Sequence, residues 1–187
     1  KHIEHVVRVI LEKDIVDLVI VCDDGSSDST YSIIKSLERE KNKKLRLLRH
    51  KVNRGVGAAI KTGYRQAYVE GADIIVVMAG DGQMDPRDLP AVLQAAIRYD
   101  YVVGNRFKEY DPRSYGMPAI RYASTKILSI LTFLATGIFV ADPQCGYTAI
   151  SRRAFEKIHW SEVEDRWGYP NSIYLRCQLN GICVGQV

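Results

Sequence analysis

Three short segments hold most of the side chains in this 187-residue sequence that could do chemistry together. They are Asp23-Asp24-Gly25-Ser26-Ser27-Asp28, Ala79-Gly80-Asp81-Gly82-Gln83 and Gly104-Asn105-Arg106. Carboxylates gathered in one place repel one another, and repel phosphate, unless a hard cation or hydrogen-bond donors compensate. Arg106 and a divalent metal are the natural counter-charges. Taken singly, each Asp/Gly cluster also reads as an ordinary turn. Two such clusters, each directly after an apolar β-rich run, are poorly explained by turn chemistry alone.

The elements that must position these segments alternate along the chain. Asp17–Cys22 reads as a strand ending at the first cluster. Asp73–Ala79 is a continuous apolar run, the pattern of a strand buried on both faces, and it ends at the second. Tyr101–Gly104 is a short strand ahead of Arg106, and Leu45–Arg49 is another. Lys1–Lys13 carries Ile3, Val6, Val7, Ile10 and Leu11 at helical spacing. Asp28–Glu40, Arg54–Glu70 and Pro86–Arg98 read as further helices, with Asp28 at an N-cap position and Pro86 in a first turn. This βαβα rhythm predicts an α/β fold with a largely parallel sheet covered by helices. Ligands in such sheets sit beyond the carboxyl ends of the strands, so both acidic clusters and Arg106 are expected on one edge.

Composition narrows the function classes. At 47% hydrophobic and 26% charged, residues 1–187 form one globular domain. The net charge of +4 is too small to argue for nucleic acid. The basic run Lys35–Arg54, interrupted by Glu38 and Glu40, reads as a solvated helix and connector. Cys22, Cys145, Cys177 and Cys183 form no CxxC pair, which fits a reduced, cytoplasmic setting better than a disulfide framework or zinc. His2 and His5 share a helical face and read as helix surface. The longest uncharged stretch, Ile127–Ala141, falls short of the roughly 20 residues that a spanning helix needs. Asn53–Thr62 is glycine-rich but is no phosphate loop, because Ile60 precedes Lys61 where a Walker loop has Gly. Ile60 also stands where a dinucleotide fingerprint needs a small residue. Gly55 and Gly57 are expected to let a helix start approach the sheet.

Taken in order, Val21–Thr30, Asn53-Arg54-Gly55-Val56-Gly57, Gly80-Asp81-Gly82-Gln83, Gly104-Asn105-Arg106-Phe107 and Asp142-Pro143-Gln144-Cys145-Gly146-Tyr147 resemble family 2 glycosyltransferases. The similarity is strongest to the dolichyl- and polyprenyl-phosphate sugar synthases, and it covers nearly the whole chain. It implies a GT-A fold, a three-layer α/β/α arrangement around a mostly parallel mixed sheet. It also implies a nucleotide-sugar donor, Mg2+ or Mn2+, and inversion at the anomeric carbon. By position, Asp23, Asp24, Gly25 and Ser26 would hold the nucleoside. Asp81 would be a metal ligand with Gln83 beside it, and Arg106 would meet phosphate. Arg121 and Thr125 would lie on the acceptor-phosphate side, and Asp142 near the acceptor.

The sequence departs from the family at two places that bear on activity. The family's first strand, with its Pro-x-Tyr-Asn-Glu-like turn, is not in the sequence, which reads as cut at both ends. Ala79 stands where the family's Asp-Ala-Asp-Gly-Gln has its first carboxylate. Metal binding is then expected to lean on Asp81, water and the donor diphosphate. A third difference is that Gly168-Tyr169-Pro170-Asn171-Ser172 lacks an acidic residue that many relatives carry nearby.

The acceptor decides which further residues are needed. A sugar hydroxyl requires a carboxylate base, for which Asp142 is the candidate. A lipid monophosphate is already anionic at neutral pH and requires cationic positioning, which Arg121 would supply, while Arg106 and a metal on Asp81 would neutralise the diphosphate leaving group. Pro118–Thr136 reads as a helix with one narrow polar stripe, Arg121, Thr125, Ser129, Thr132 and Thr136. The rest of its surface is broadly apolar, the pattern of a core helix or of one laid on a membrane. The leading expectation is an inverting hexosyltransferase moving sugar from a UDP- or GDP-sugar to a polyprenyl or dolichyl phosphate, peripheral at the inner face of a membrane or anchored there through segments outside this sequence. Transfer to a saccharide hydroxyl, a catalytically weak nucleotide-sugar-binding domain, and a sugar-phosphate nucleotidyltransferase are the competing readings.

Overall fold

The computed structural model describes residues 2–40, 44–108 and 116–187. Lys1 of the expected first helix and residues 41–43 of the basic run lie outside them. The chain runs α1 (His2–Lys13), β1 (Val19–Asp23), α2 (Thr30–Glu40), β2 (Leu45–Arg49), α3 (Val56–Val69), β3 (Ile74–Val77), a 3-10 turn (Pro86–Asp88) and α4 (Leu89–Ala96). It continues through β4 (Tyr101–Val103), α5 (Ala119–Thr136), β5 (Thr148–Ser151), α6 (Arg152–Lys157), a second 3-10 turn (Trp160–Glu162), α7 (Tyr169–Leu179) and β6 (Val184–Gln186).

Local chemistry accounts for several of these boundaries. Asp85 caps the first 3-10 turn by accepting the Arg87 backbone N–H, with Pro86 following it. Asp28 accepts the Thr30 N–H at the entry to α2. Ser151 caps α6 through the Ala154 N–H. Gly137 ends α5 in the left-handed conformation, and its N–H bonds to the Phe133 carbonyl.

The strand pairings correct the expectation of one largely parallel sheet. β1 and β2 pair in parallel, with Asp23 opposite Arg49. The other four strands form a separate sheet in the order β3-β5-β4-β6. There β5 runs antiparallel to both β3 and β4, and only β4 and β6 are parallel. No described residue supplies a strand between β1 and β3, so the two sheets are not hydrogen-bonded to each other. β3 is consequently an edge strand in which only Ile75 is buried, not the doubly covered strand that its sequence predicts.

Helices cover both faces of β1. Val21 packs with Val7, Ile34, Leu37 and Leu45 on one side, under α1 and α2. Ile20 points the other way, into the larger core with Tyr64 and Ala67 of α3. That alternation is the period of two of a strand between two layers. The larger core continues through β4 and β5 to Ile173, Tyr174 and Cys177 of α7. All four cysteines are free thiols, and His2 and His5 are exposed on α1.

Candidate active site

The first acidic turn is built on the parallel pair β1–β2. Asp23 ends β1 almost fully buried, and its Oδ1 accepts the Ser26 N–H at 3.0 Å. Its Oδ2 is buried without a hydrogen-bond partner; Arg49 Nε approaches it at 3.3 Å without hydrogen-bond alignment. The Arg49 guanidinium also lies 4.0 Å over the Tyr31 ring. Gly25 is required by both conformation and space. Its φ is +75°, and a Cβ there would meet Asn53 N and Val52 C at 2.8 Å. The Asp23–Ser26 turn therefore rests directly on the Val52–Asn53 backbone.

Asp24 fastens that backbone from the other side. Its Oδ1 accepts the Arg54 N–H at 2.9 Å and its Oδ2 accepts the Gly55 N–H at 2.8 Å. His50 Nδ1 lies 2.6 Å from Asp24 Oδ1, and His50 Nε2 lies 2.9 Å from Thr62 Oγ1. Burial would raise the Asp24 carboxyl, but these hydrogen bonds outweigh it and hold the group below the usual aspartate range.

The glycine-rich segment serves an unexpected neighbour. Gly55 and Gly57 approach the Glu164–Arg166 backbone, not the sheet. A Cβ on either would overlap carbonyl oxygens of Glu164 or Asp165. The Ala58 N–H donates to the Asp165 carbonyl, and buried Lys61 reaches the Val163 carbonyl and the Asp165 carboxylate, each at 2.6 Å.

Asp81 and Gln83 sit on an exposed loop, where Asp81 Oδ1 accepts the Gln83 N–H at 2.9 Å. Gly80 lies against Ile3 and Gly82 against His2, so the start of α1 covers this loop. Among the described residues no group of three or more His, Cys, Asp or Glu side chains is placed to hold a metal ion. Asp81 and Gln83 do not make an all-protein cage. They fit a hard cation that keeps most of its coordination as water and substrate phosphate.

Arg106 and Asp142 form the best-defined ion pair of the site. Nε reaches Oδ2 at 2.5 Å and Nη2 reaches Oδ1 at 2.8 Å, a bidentate fork on a carboxylate with no exposed surface. The hydrogen bonds that Arg106 donates to Asp142 outweigh burial and raise the Arg106 pKa. Phe107 packs edge-on against Tyr122 of α5 and lies 4.4 Å beneath Lys126 Nζ. Arg121 is exposed in the first turn of α5. Thr125 is buried, and its hydroxyl donates to the Arg121 carbonyl at 2.9 Å. The structure thus joins Asp23, Asp24, Gly25 and Ser26 in one turn and Arg106 with Asp142 in an ion pair. No hydrogen bond among the described residues joins Asp81 to either.

Arg49, His50, Lys61, Asp165 and Lys126 were not singled out from the sequence. Arg49 and His50 had a signal, because they lie at and just after the end of β2, on the same sheet edge as Asp23. Lys126 had only its place one helical turn after Tyr122.

Helix α5 is inside out for a helix on a globular surface. Its hydroxyl stripe, Thr125, Ser129, Thr132 and Thr136, faces the protein, where Ser129 donates to the Val140 carbonyl. Its outer face exposes Ile120, Ile127, Ile130, Leu131, Phe133 and Leu134. Trp167 is 86% exposed. Among the described residues no helix is long and apolar enough to cross a membrane.

Residues 3–159 match the sequence profile of Glycosyl transferase family 2, and the chain belongs to that family. It is 35% identical over 185 residues to the UDP-N-acetylglucosamine--dolichyl-phosphate N-acetylglucosaminyltransferase of Methanococcus voltae, covering 91% of this chain and 73% of that one. It is 28% identical to the polyprenol monophosphomannose synthase of Mycolicibacterium smegmatis, covering 90% and 64%. Among solved structures it matches glucosyl-3-phosphoglycerate synthase from Mycobacterium tuberculosis, in complex with Mn2+, UDP and phosphoglyceric acid. The TM-score is 0.69 at 20% identity, covering 100% of this chain and 63% of that one. That likeness establishes the GT-A fold. The protein is a glycosyltransferase.

Proposed function

We propose that this domain transfers a hexose from a UDP- or GDP-sugar to a polyprenyl or dolichyl phosphate, with inversion, at a membrane surface. The observation that carries this reading is the inverted α5. A helix that buries its hydroxyls and exposes Ile, Leu and Phe has an apolar surface to cover, and a lipid-borne acceptor brings that surface with it. The names of the Methanococcus voltae and Mycolicibacterium smegmatis relatives support the same acceptor class.

In this reading the Asp23–Ser26 turn receives the nucleoside, with Asp23 Oδ2 held against Arg49 and making no hydrogen bond of its own. Asp81 and Gln83 would hold Mg2+ or Mn2+, which when bound neutralises the diphosphate leaving group. Arg106 meets phosphate through the part of its guanidinium not engaged by Asp142. Arg121 in the first turn of α5 and Lys126 further along the same helix attract the acceptor phosphate electrostatically. Thr125 keeps its hydroxyl on the Arg121 carbonyl, so its role is to fix the first turns of α5. A phosphate acceptor needs no base. This agrees with Asp142, whose two oxygens are both committed to Arg106. Transfer to a saccharide hydroxyl would need that carboxylate released.

The test is vesicle flotation with anionic lipid, run in parallel with nucleotide titration. Leu131→Glu with Phe133→Glu is expected to abolish flotation and leave nucleotide affinity unchanged. Flotation equal to wild type would overturn the membrane-surface reading.

A further inference from the structure

His50 is absorbed by no catalytic step, yet it is only 7% exposed and sits at the centre of a continuous polar chain. Thr62, on α3, lies 2.9 Å from Nε2, and Asp24, just after β1, lies 2.6 Å from Nδ1. Its backbone N–H donates to the Asp23 carbonyl at 2.9 Å. The partners assign the tautomer. The carboxylate can only accept, so Nδ1 carries a proton; in the neutral ring the Thr62 hydroxyl then donates to Nε2. Every polar atom of a neutral imidazole is then used.

The chain does not stop at Asp24. The same carboxylate accepts both the Arg54 and Gly55 N–H groups. These amides begin just after Val52–Asn53, the backbone that touches Gly25 of the acidic turn. Rotating Asp24 would release two backbone amides and the support beneath Gly25 together. The Arg54 and Gly55 amides and the buried imidazole together hold the carboxylate, and of these three only the imidazole belongs to a residue outside the Val52–Gly55 loop.

We propose that His50 is a positioning residue of the donor site. Through the Thr62–His50–Asp24 chain it fixes the Val52–Gly55 loop that shapes the Asp23–Ser26 turn for the nucleoside. This rests on the reading of that turn as the nucleotide site. His50 touches no reacting atom in it, so its effect falls on donor affinity more than on turnover.

The two ring nitrogens can be tested separately. His50→Asn places an amide N–H near the Nδ1 position and keeps the Asp24 bond, whereas His50→Gln reaches the Nε2 position and keeps the Thr62 bond. Calorimetric titration with UDP and with GDP, each with Mn2+, is measured on wild type and both variants, with thermal melting to verify folding. Hydrogen exchange of the Arg54 and Gly55 amides is followed on the same samples. The expected result is about tenfold weaker nucleotide binding in His50→Gln, the loss of one charge-assisted hydrogen bond. The Arg54 and Gly55 amides exchange faster in that variant, and His50→Asn restores both quantities toward wild type. A donor KM that rises with little change in kcat completes the pattern. Wild-type affinity and exchange in a folded His50→Gln would overturn the proposal while leaving the donor site intact. Failure of wild type to bind either nucleotide would remove the donor site itself, and this proposal with it.

Discussion

Replacing Gly57 by alanine should destabilise the protein, although Gly→Ala in a helix ordinarily does the reverse. Gly57 is the second residue of α3, and its ideal Cβ would overlap the Glu164 carbonyl oxygen, with the Asp165 carbonyl carbon 2.9 Å away. Relieving that overlap requires roughly a 1 Å shift of the Glu164–Asp165 backbone, judged from ordinary C···O contact distances. The shift strains two attachments, the Ala58 N–H to Asp165 carbonyl bond at 2.9 Å and the Lys61–Asp165 pair at 2.6 Å. Overpacking of this kind costs about 1–3 kcal/mol, and a lost backbone bond about 1 more. The helix preference of alanine returns at most about 1 kcal/mol, and less in a first turn. The net expectation is a loss of about 1–3 kcal/mol. Gly63, in the same helix, is the internal control, since a Cβ there meets nothing within 4 Å. Gly63→Ala should stabilise by about 0.5–1 kcal/mol. Urea unfolding of wild type and both variants, compared at constant m-value, gives the two signs. Midpoints that move in the same direction, or a Gly57→Ala variant as stable as wild type, would refute the claim that these glycines exist to seat the Glu164–Arg166 segment.

Three further outcomes follow from the site. Asp142→Asn removes the charged half of the Arg106 fork, so kcat should fall while the shape of the pH–rate profile is kept; loss of the acidic limb would show instead that Asp142 acts as a base. Ala79→Asp restores a second carboxylate beside Asp81, and the Mn2+ concentration for half-maximal nucleotide binding should fall, as read by titration. Asp24 is held ionised in the folded protein, so its stabilising contribution is present above the unfolded aspartate pKa of about 3.9 and is lost as pH falls through the lower folded value. The stability gap between wild type and Asp24→Asn should therefore narrow between pH 5 and pH 3, measured by urea unfolding at each pH.

Strand ends and amphipathic helices were legible because each has a local pattern. β2 is found at the residues its apolar run predicts, and α1, α3 and α5 agree with theirs to within a residue or two at each end. β5 was not assigned, because Thr148–Ser151 has neither a long apolar run nor alternation, and its place between β3 and β4 is a tertiary fact. α6 and α7 were likewise unassigned. The buried side of α7, Tyr169, Ile173, Tyr174 and Cys177, is matched by little polarity difference around the helix. In α5 the periodicity showed a polar stripe but not which side faced inward, and the structure turns that stripe into the protein. The Arg106–Asp142 fork joins residues far apart in sequence, and His50 is one histidine with no motif around it. Such pairs become visible only when the topology brings their segments together.

Transfer to a lipid-borne phosphate is tested by incubating the protein with radiolabelled UDP- or GDP-sugars, Mn2+ and a polyprenyl phosphate in vesicles, then extracting into organic solvent. Label is expected in the organic phase with one nucleotide-sugar, together with release of the matching nucleoside diphosphate. Label transferred only to a water-soluble saccharide acceptor would contradict it.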